Sequence, residues 1–299
     1  MNEAAEIAPA HELVRGHVTL GDFDLTILTD GPHVQDGGAM FGVVPKTLWQ
    51  KKMPANSLNQ IVMGTNTVVV RTGKETVVIE TGIGNKLTEK QRAFFDPKQK
   101  LLESFRTAGI KPEEVDIVIN SHLHFDHCGW NTTRLEDGRV VPTFPNARHF
   151  VHRGEVEHGH LQLERDWMSY LSDNYDPLIA NGQMTLLDLK PGESSEIAPG
   201  VSVEVFPGHT AQMIAVMLDS GGQRACYVSD LIPTSAHLDT TWGMGYDLYP
   251  LTVIEERKRF LSRAIPEQWL VLFTHDHDHP MGYLALGSKG EPELRQEKD

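Results

Sequence analysis

The sequence predicts an α/β fold in which helices cover a sandwich of β-structure, and three observations predict it. Short segments rich in Val and Ile recur along the chain, some alternating apolar and polar residues, others apolar throughout. Stretches with helical start and stop signals lie between them. Four strand candidates run directly into His or Asp, so one end of a folded sheet would gather those side chains, where loops on a rigid scaffold carry chemistry. At 299 residues, one domain with ample core is expected.

The elements follow in chain order. Residues 23–27 alternate like a strand, and residues 67–70 and 76–79 make a hairpin around Gly73. Asp96 is placed to cap a helix whose first turn takes Pro97. Leu101, Leu102 and Phe105 give that helix an apolar face, and Gly109 can end it in a left-handed conformation. The apolar segment 115–119 then feeds His122. Residues 153–180, with Trp167, Met168, Tyr170 and Leu171 in a charged background, read as helix plus loop that covers the sheet or walls a pocket. Residues 201–206 form a half-buried strand leading to His209, 225–228 lead to Asp230, and 269–273 lead to His275. Between the last two, residues 254–264 form a helix with Glu255 and Glu256 early and Arg257, Lys258, Arg259 and Arg263 later, as the helix dipole favours. The expected division is an N-terminal extension at 1–16, a folded domain at 17–287 and a polar, disordered tail at 288–299.

The run from Ser121 to His127 places His122, His124, Asp126 and His127 within six residues. In an extended stretch His122 and His124 point the same way and can share one ion. Asp126 and His127, one turn further on, can hold a second. A single His-x-His pair is more often an exposed polar face, but burying three imidazoles and a carboxylate in one loop is costly without a cation.

This run, with Pro207-Gly208-His209-Thr210, the strand-end Asp230 and the late strand-end His275, resembles the metallo-β-lactamase superfamily of binuclear hydrolases. The loop at 36–45, the stretch 214–218 and the Pro233-Thr234 turn resemble its quorum-quenching N-acyl-homoserine lactonase branch, over residues 17–285 in all. The resemblance implies an αββα sandwich of two similar halves. It also implies two divalent metal ions, with His122, His124 and His209 on the first, Asp126, His127 and His275 on the second, and Asp230 bridging. Imidazole and carboxylate without thiolate suit Zn, Mn, Fe or Co, with zinc the default. The implied reaction is opening of a lactone ring by a hydroxide shared between the ions, with Asp126 orienting the nucleophile and returning a proton to the leaving alkoxide. A metal ligand with no proton role is the plainer reading of Asp126.

Two positions depart from the family pattern. Glu80 stands where the superfamily has Asp, which shifts a supporting hydrogen bond by one methylene. Pro233 stands where several lactonases have a Tyr that polarises the lactone carbonyl. Tyr246, Tyr249 and His237 are candidates to replace that hydroxyl, though each reads first as an ordinary loop or pocket-wall residue. In the apolar stretch 40–49, Met40 and Phe41 are candidates to line an acyl-chain pocket, with burial against a second subunit of a homodimer as the companion expectation. His149, His152, His158 and His160 read as structural, and His277 and His279 as supporting or solvent-facing.

Composition narrows the partners. A formal charge of −14 with no basic run argues against nucleic acid, which the metal motif alone would allow. Two Cys, no apolar signal core and no membrane-length apolar run fit a reducing, cytoplasmic setting. The resemblance implies a small-molecule lactone or ester as substrate. A phosphotriesterase, or a lactonase with phosphotriesterase side activity, would use the same ligands. A sensing module with structural metals would bind metal and hydrolyse nothing.

Overall fold

The computed structural model describes residues 13–298. The first half contributes β1 (Val14–Leu20), β2 (Phe23–Thr29), β3 (His33–Asp36), β4 (Gln60–Met63), β5 (Asn66–Arg71), β6 (Thr76–Ile79), β7 (Ile117–Ile119), β8 (Thr132–Arg134), β9 (Val140–Pro142), β10 (Arg148–His152) and β11 (Met184–Leu187). The second contributes β12 (Ser194–Ala198), β13 (Val201–Val205), β14 (Ile214–Ser220), β15 (Gln223–Tyr227), β16 (Leu270–Leu272), β17 (Met281–Leu286) and β18 (Pro292–Arg295). Two seven-stranded sheets result, ordered β1-β2-β5-β6-β7-β10-β11 and β12-β13-β14-β15-β16-β17-β18. β3 and β4 form a separate antiparallel ribbon, as do β8 and β9.

The sheets pack face to face because their strands alternate. Ile27, Val68, Val70, Val77, Ile79, Ile117 and Ile119 of the first meet Val203, Val205, Val216, Tyr227, Leu270 and Leu272 of the second in one buried core. The intervening residues point outward and are covered by helices. Leu101 and Phe105 of the helix Leu101–Thr107 pack on Val69, Val78 and Val118. Phe260, Leu261 and Ala264 of the helix Pro250–Ala264 pack on Cys226, Val228 and Val271. The four layers are the expected αββα sandwich.

The expected hairpin, the strands leading to the His and Asp residues and the late helix are all present. Three expectations need correction. Asp96 does not cap the helix Leu101–Thr107; it ends the preceding helix Glu89–Phe95 in a left-handed conformation, φ 45°. The acceptor at the start of Leu101–Thr107 is Asp30, whose Oδ1 takes the Leu101 N–H at 2.8 Å. The tail is also partly ordered, since β18 pairs antiparallel with β17 from Tyr283↔Arg295 to Leu286↔Pro292. At the other end, β1 begins within the expected extension and pairs with β2, while residues 1–12 lie outside the described part.

Hydrogen bonds between the halves fix the end of the sandwich that carries the His and Asp residues. Ile214 N donates to Ser121 O at 2.9 Å, and Gly64 N and Asn66 N donate to His275 O and Thr274 O at 2.9 and 2.8 Å. Asn66 Nδ2 adds Phe273 O and Asp276 O, each at 2.9 Å.

Candidate metal centre

β7 is apolar and fully buried, and it releases the chain into Asn120–His124 at the sheet edge, followed by the single turn Phe125–Cys128. Gly129 ends that turn where a Cβ would lie 2.0 Å from the Ile83 carbonyl, so only glycine lets the two loops close. β13, β15 and β16 end at the same edge and deliver His209, Asp230 and His275.

The seven predicted residues meet. Ring nitrogens of His122, His124 and His209 lie within 4.8 Å of one another, and donor atoms of His127, Asp230 and His275 do the same. Asp126 sits beside the second set, 3.9 Å from His127 Nε2 and 3.7 Å from His275 Nε2. Asp230 stands between the sets, with Oδ2 3.3 Å from His209 Nε2 and Oδ1 3.3 Å from His275 Nε2.

The outer ring nitrogens are tied down. Ser121 Oγ is 2.9 Å from His122 Nδ1 and 2.6 Å from Ser229 Oγ. His275 Nδ1 is 3.0 Å from the Gly64 carbonyl, and His209 Nδ1 is 3.1 Å from Asp247 Oδ1. Glu80 reaches the Ser121 N–H at 3.0 Å and His127 Nδ1 at 3.5 Å, so the longer acid still supports this loop. Glu80 and Ser229 both take positive φ, 61° and 47°, backbone strain concentrated beside the site.

These donors fit divalent cations. His122 Nε2 and Asp230 Oδ1 are buried without a hydrogen-bond partner among the described residues. The Nε2 atoms of His127 and His275 face each other at 3.2 Å. Imidazole nitrogens aimed at one another and at carboxylates suit a metal better than a packed core. Burial, reinforced by neighbouring imidazoles, holds His122 well below the usual histidine range. Burial also opposes charge on His127, yet Asp230, Asp126 and Glu80 outweigh it and hold that ring well above the range. A cation bound here competes with that proton.

A cavity of about 330 Å³ opens over these residues. His124, Asp126, His209, Asp230 and His275 line it, with His33, Gln35, Met40 and Tyr246 on one side and Phe94, Trp167 and Met168 among its apolar lining. Two pocket candidates are not on its wall. Phe41 is fully buried and stacks on His237 at 4.6 Å and on Trp49 at 5.2 Å. His237 is buried too, with ring nitrogens 2.9 Å from Met40 O and 2.8 Å from Thr234 Oγ1. The two stiffen the wall from behind. Tyr246 is on the wall, and its hydroxyl donates to Gln35 Oε1 at 3.2 Å.

His149, His152, His158 and His160 lie outside both donor sets; His152 Nε2, for example, lies 2.8 Å from the Leu189 carbonyl. Sequence reasoning missed Asp247 and His33. His33 is buried on the wall, with a ring nitrogen within 4.8 Å of Asp126 and His275 donor atoms, and burial pushes it down to about 3. Neither residue has a motif around it; both reach the site through tertiary contact.

Comparison with known proteins agrees with the geometry. The metallo-β-lactamase superfamily profile matches residues 61–275. A probable metal-dependent hydrolase from Staphylococcus aureus is 30% identical with a TM-score of 0.83, covering 94% of this chain and 100% of that one. AidC, a dizinc quorum-quenching lactonase solved with N-hexanoyl-L-homoserine as product, shares the fold with a TM-score of 0.77 at 21% identity, covering 95% and 97%. The N-acyl homoserine lactonase AttM of Agrobacterium fabrum is 31% identical over 84 residues, a match spanning 27% of either protein. No helix among the described residues is long and apolar enough to cross a membrane. Profile, fold and the convergence of five His and two Asp on one sandwich edge agree: the chain belongs to the metallo-β-lactamase superfamily of metal-dependent hydrolases.

Proposed function

We propose that the protein is a binuclear metal-dependent lactonase that opens the ring of N-acyl-homoserine lactones. The observation that carries the reading is the position of Asp230, each oxygen 3.3 Å from a ring nitrogen of a different donor set, where one carboxylate would serve both ions. His122, His124 and His209 would hold one ion and Asp126, His127 and His275 the other, with zinc as the proposed metal. Two divalent ions, when bound, supply Lewis acidity for attack of water on a carbonyl. Asp126 lines the cavity and is placed to take a proton from the attacking water and return it to the ring oxygen that leaves. Ser121, Asp247 and the Gly64 carbonyl hold three of the imidazoles in position, and Glu80 supports their loop by accepting the Ser121 N–H. Met40, Phe125, Trp167 and Met168 give an acyl chain an apolar place beside the reacting ester.

The test is initial hydrolysis rate of metal-loaded protein on short- and long-chain N-acyl-homoserine lactones, with a phosphotriester alongside and Asp126→Ala as control. Lactone turnover abolished in the control supports the reading. Turnover of the phosphotriester alone would move the assignment to the phosphotriesterase alternative, and metal binding without hydrolysis would move it to a sensing role.

A further inference from the structure

Pro233 supplies no hydroxyl where several lactonases place a Tyr, and its carbonyl is taken by the His275 N–H at 3.0 Å. His33 lines the same cavity and carries a ring N–H that Pro233 lacks. His33 opens β3 at the cavity, and its Nδ1 is 3.0 Å from Thr65 Oγ1. Thr65 is buried, and His33 Nδ1 is the hydrogen-bond partner of its hydroxyl among the described residues. A buried hydroxyl that accepted from Nδ1–H would leave its own proton unpaired, which is unfavourable away from water. The satisfied arrangement has Thr65 Oγ1–H donating to Nδ1, so the ring proton sits on Nε2.

We propose that His33 Nε2–H donates a hydrogen bond to the ring oxygen of the bound lactone, the atom that leaves as an alkoxide. This rests on the lactonase reading above. The placement argues for the leaving oxygen because His33 stands with Asp126 and His275, a ring nitrogen within 4.8 Å of each, while the trio of His122, His124 and His209 lies on the far side of Asp230. In the step, water adds to the carbonyl carbon, the bond from that carbon to the ring oxygen breaks, and Asp126 returns the water-derived proton to the oxygen. His33 keeps its own proton and acts by hydrogen bonding alone.

The experiment compares an N-acyl-homoserine lactone with the matching N-acyl-homocysteine thiolactone, whose sulfur is a weak acceptor and a better leaving group. Wild type, His33→Ala, Thr65→Val and Thr65→Ser are assayed after metal content per chain has been measured. The expected result for His33→Ala is a drop in kcat of about 10- to 100-fold on the oxygen lactone, little change on the thiolactone, and unchanged metal content. Thr65→Val should shift the ratio the same way and Thr65→Ser should restore it. Equal losses on both substrates with metal retained would overturn the proposal, and loss of a metal equivalent would overturn it by making His33 a ligand. Failure of wild type to open either ring would overturn the lactonase reading itself and the role of His33 with it.

Discussion

Asp247 holds His209 from behind: Oδ1 lies 3.1 Å from His209 Nδ1, and Oδ2 accepts the Met244 N–H at 2.8 Å. The carboxylate has essentially no exposure, so water cannot replace it. It fixes Nδ1 as the protonated nitrogen and leaves Nε2 free to face Asp230. Asp247→Ala should weaken metal binding by about 10- to 100-fold, read by competition with a chelator of known affinity. Unchanged affinity would mean that His209 is oriented by its backbone alone.

Asp30 accepts four donors: Leu101 N and Trp130 Nε1 on Oδ1 at 2.8 and 2.9 Å, Ile83 N and Gly84 N on Oδ2 at 2.8 and 3.3 Å. It ties a helix start to the loop after Glu80. Asp30→Asn turns one oxygen into an amide that faces two N–H groups with no acceptor. Metal-loaded Asp30→Asn should therefore lose about 1–3 kcal/mol, seen as a lower urea midpoint at an unchanged slope. A shift too small to measure would show that the loop finds other acceptors.

The reach of Asp30 also explains what the sequence could and could not reveal. Its bond to Leu101 spans 71 residues, so a local reading assigned the cap to Asp96, the nearest acid before a Pro. The candidate metal donors were legible because each group follows a strand candidate, and strand ends gather at one sandwich edge. His33 and Asp247 were not, since one reaches the site through a separate ribbon and the other through a loop. Neighbourhood in the chain alone places Phe41 and His237 on the wall. Their stacking at 4.6 Å turns both inward, a packing choice that no periodicity records. Polarity alone predicts a disordered tail, yet β18 is held by backbone pairing with β17, which is indifferent to side-chain polarity.

Lys86 is nearly buried, and its Nζ donates to Gly129 O at 2.6 Å and to Thr132 O. Burial lowers its ammonium from 10.5 to about 8, with Cys128 and Asp173 opposing the change. Between those values the unfolded chain binds the proton more fully than the folded one, so stability rises with pH across that window. The penalty for the charged form is present in full below about pH 8 and is relieved toward pH 10.5. From pH 7 to 10.5 the stability of wild type from urea unfolding should rise relative to that of Lys86→Met, by at most about 3 kcal/mol. A constant difference across the range would show that the two carbonyls cancel the cost of burial.

Trp167 lines the cavity while 51% of its surface is exposed, and Met168 beside it is 52% exposed. Large apolar side chains left open at a cavity offer area to a ligand that ends in hydrocarbon. Trp167 lies in the short helical turn Trp167–Ser169, outside the strands that lead to the candidate metal donors, so its truncation should remove contact with the distal part of a substrate and leave the reacting end alone. Trp167→Ala should then raise KM for a long-chain N-acyl-homoserine lactone by about 10-fold, with kcat unchanged and short-chain KM nearly so, since each buried methylene contributes about 0.8 kcal/mol. An equal rise for both chain lengths would place Trp167 against the ring end of the substrate, and no rise for either would send the acyl chain along the Met40 and Tyr246 wall.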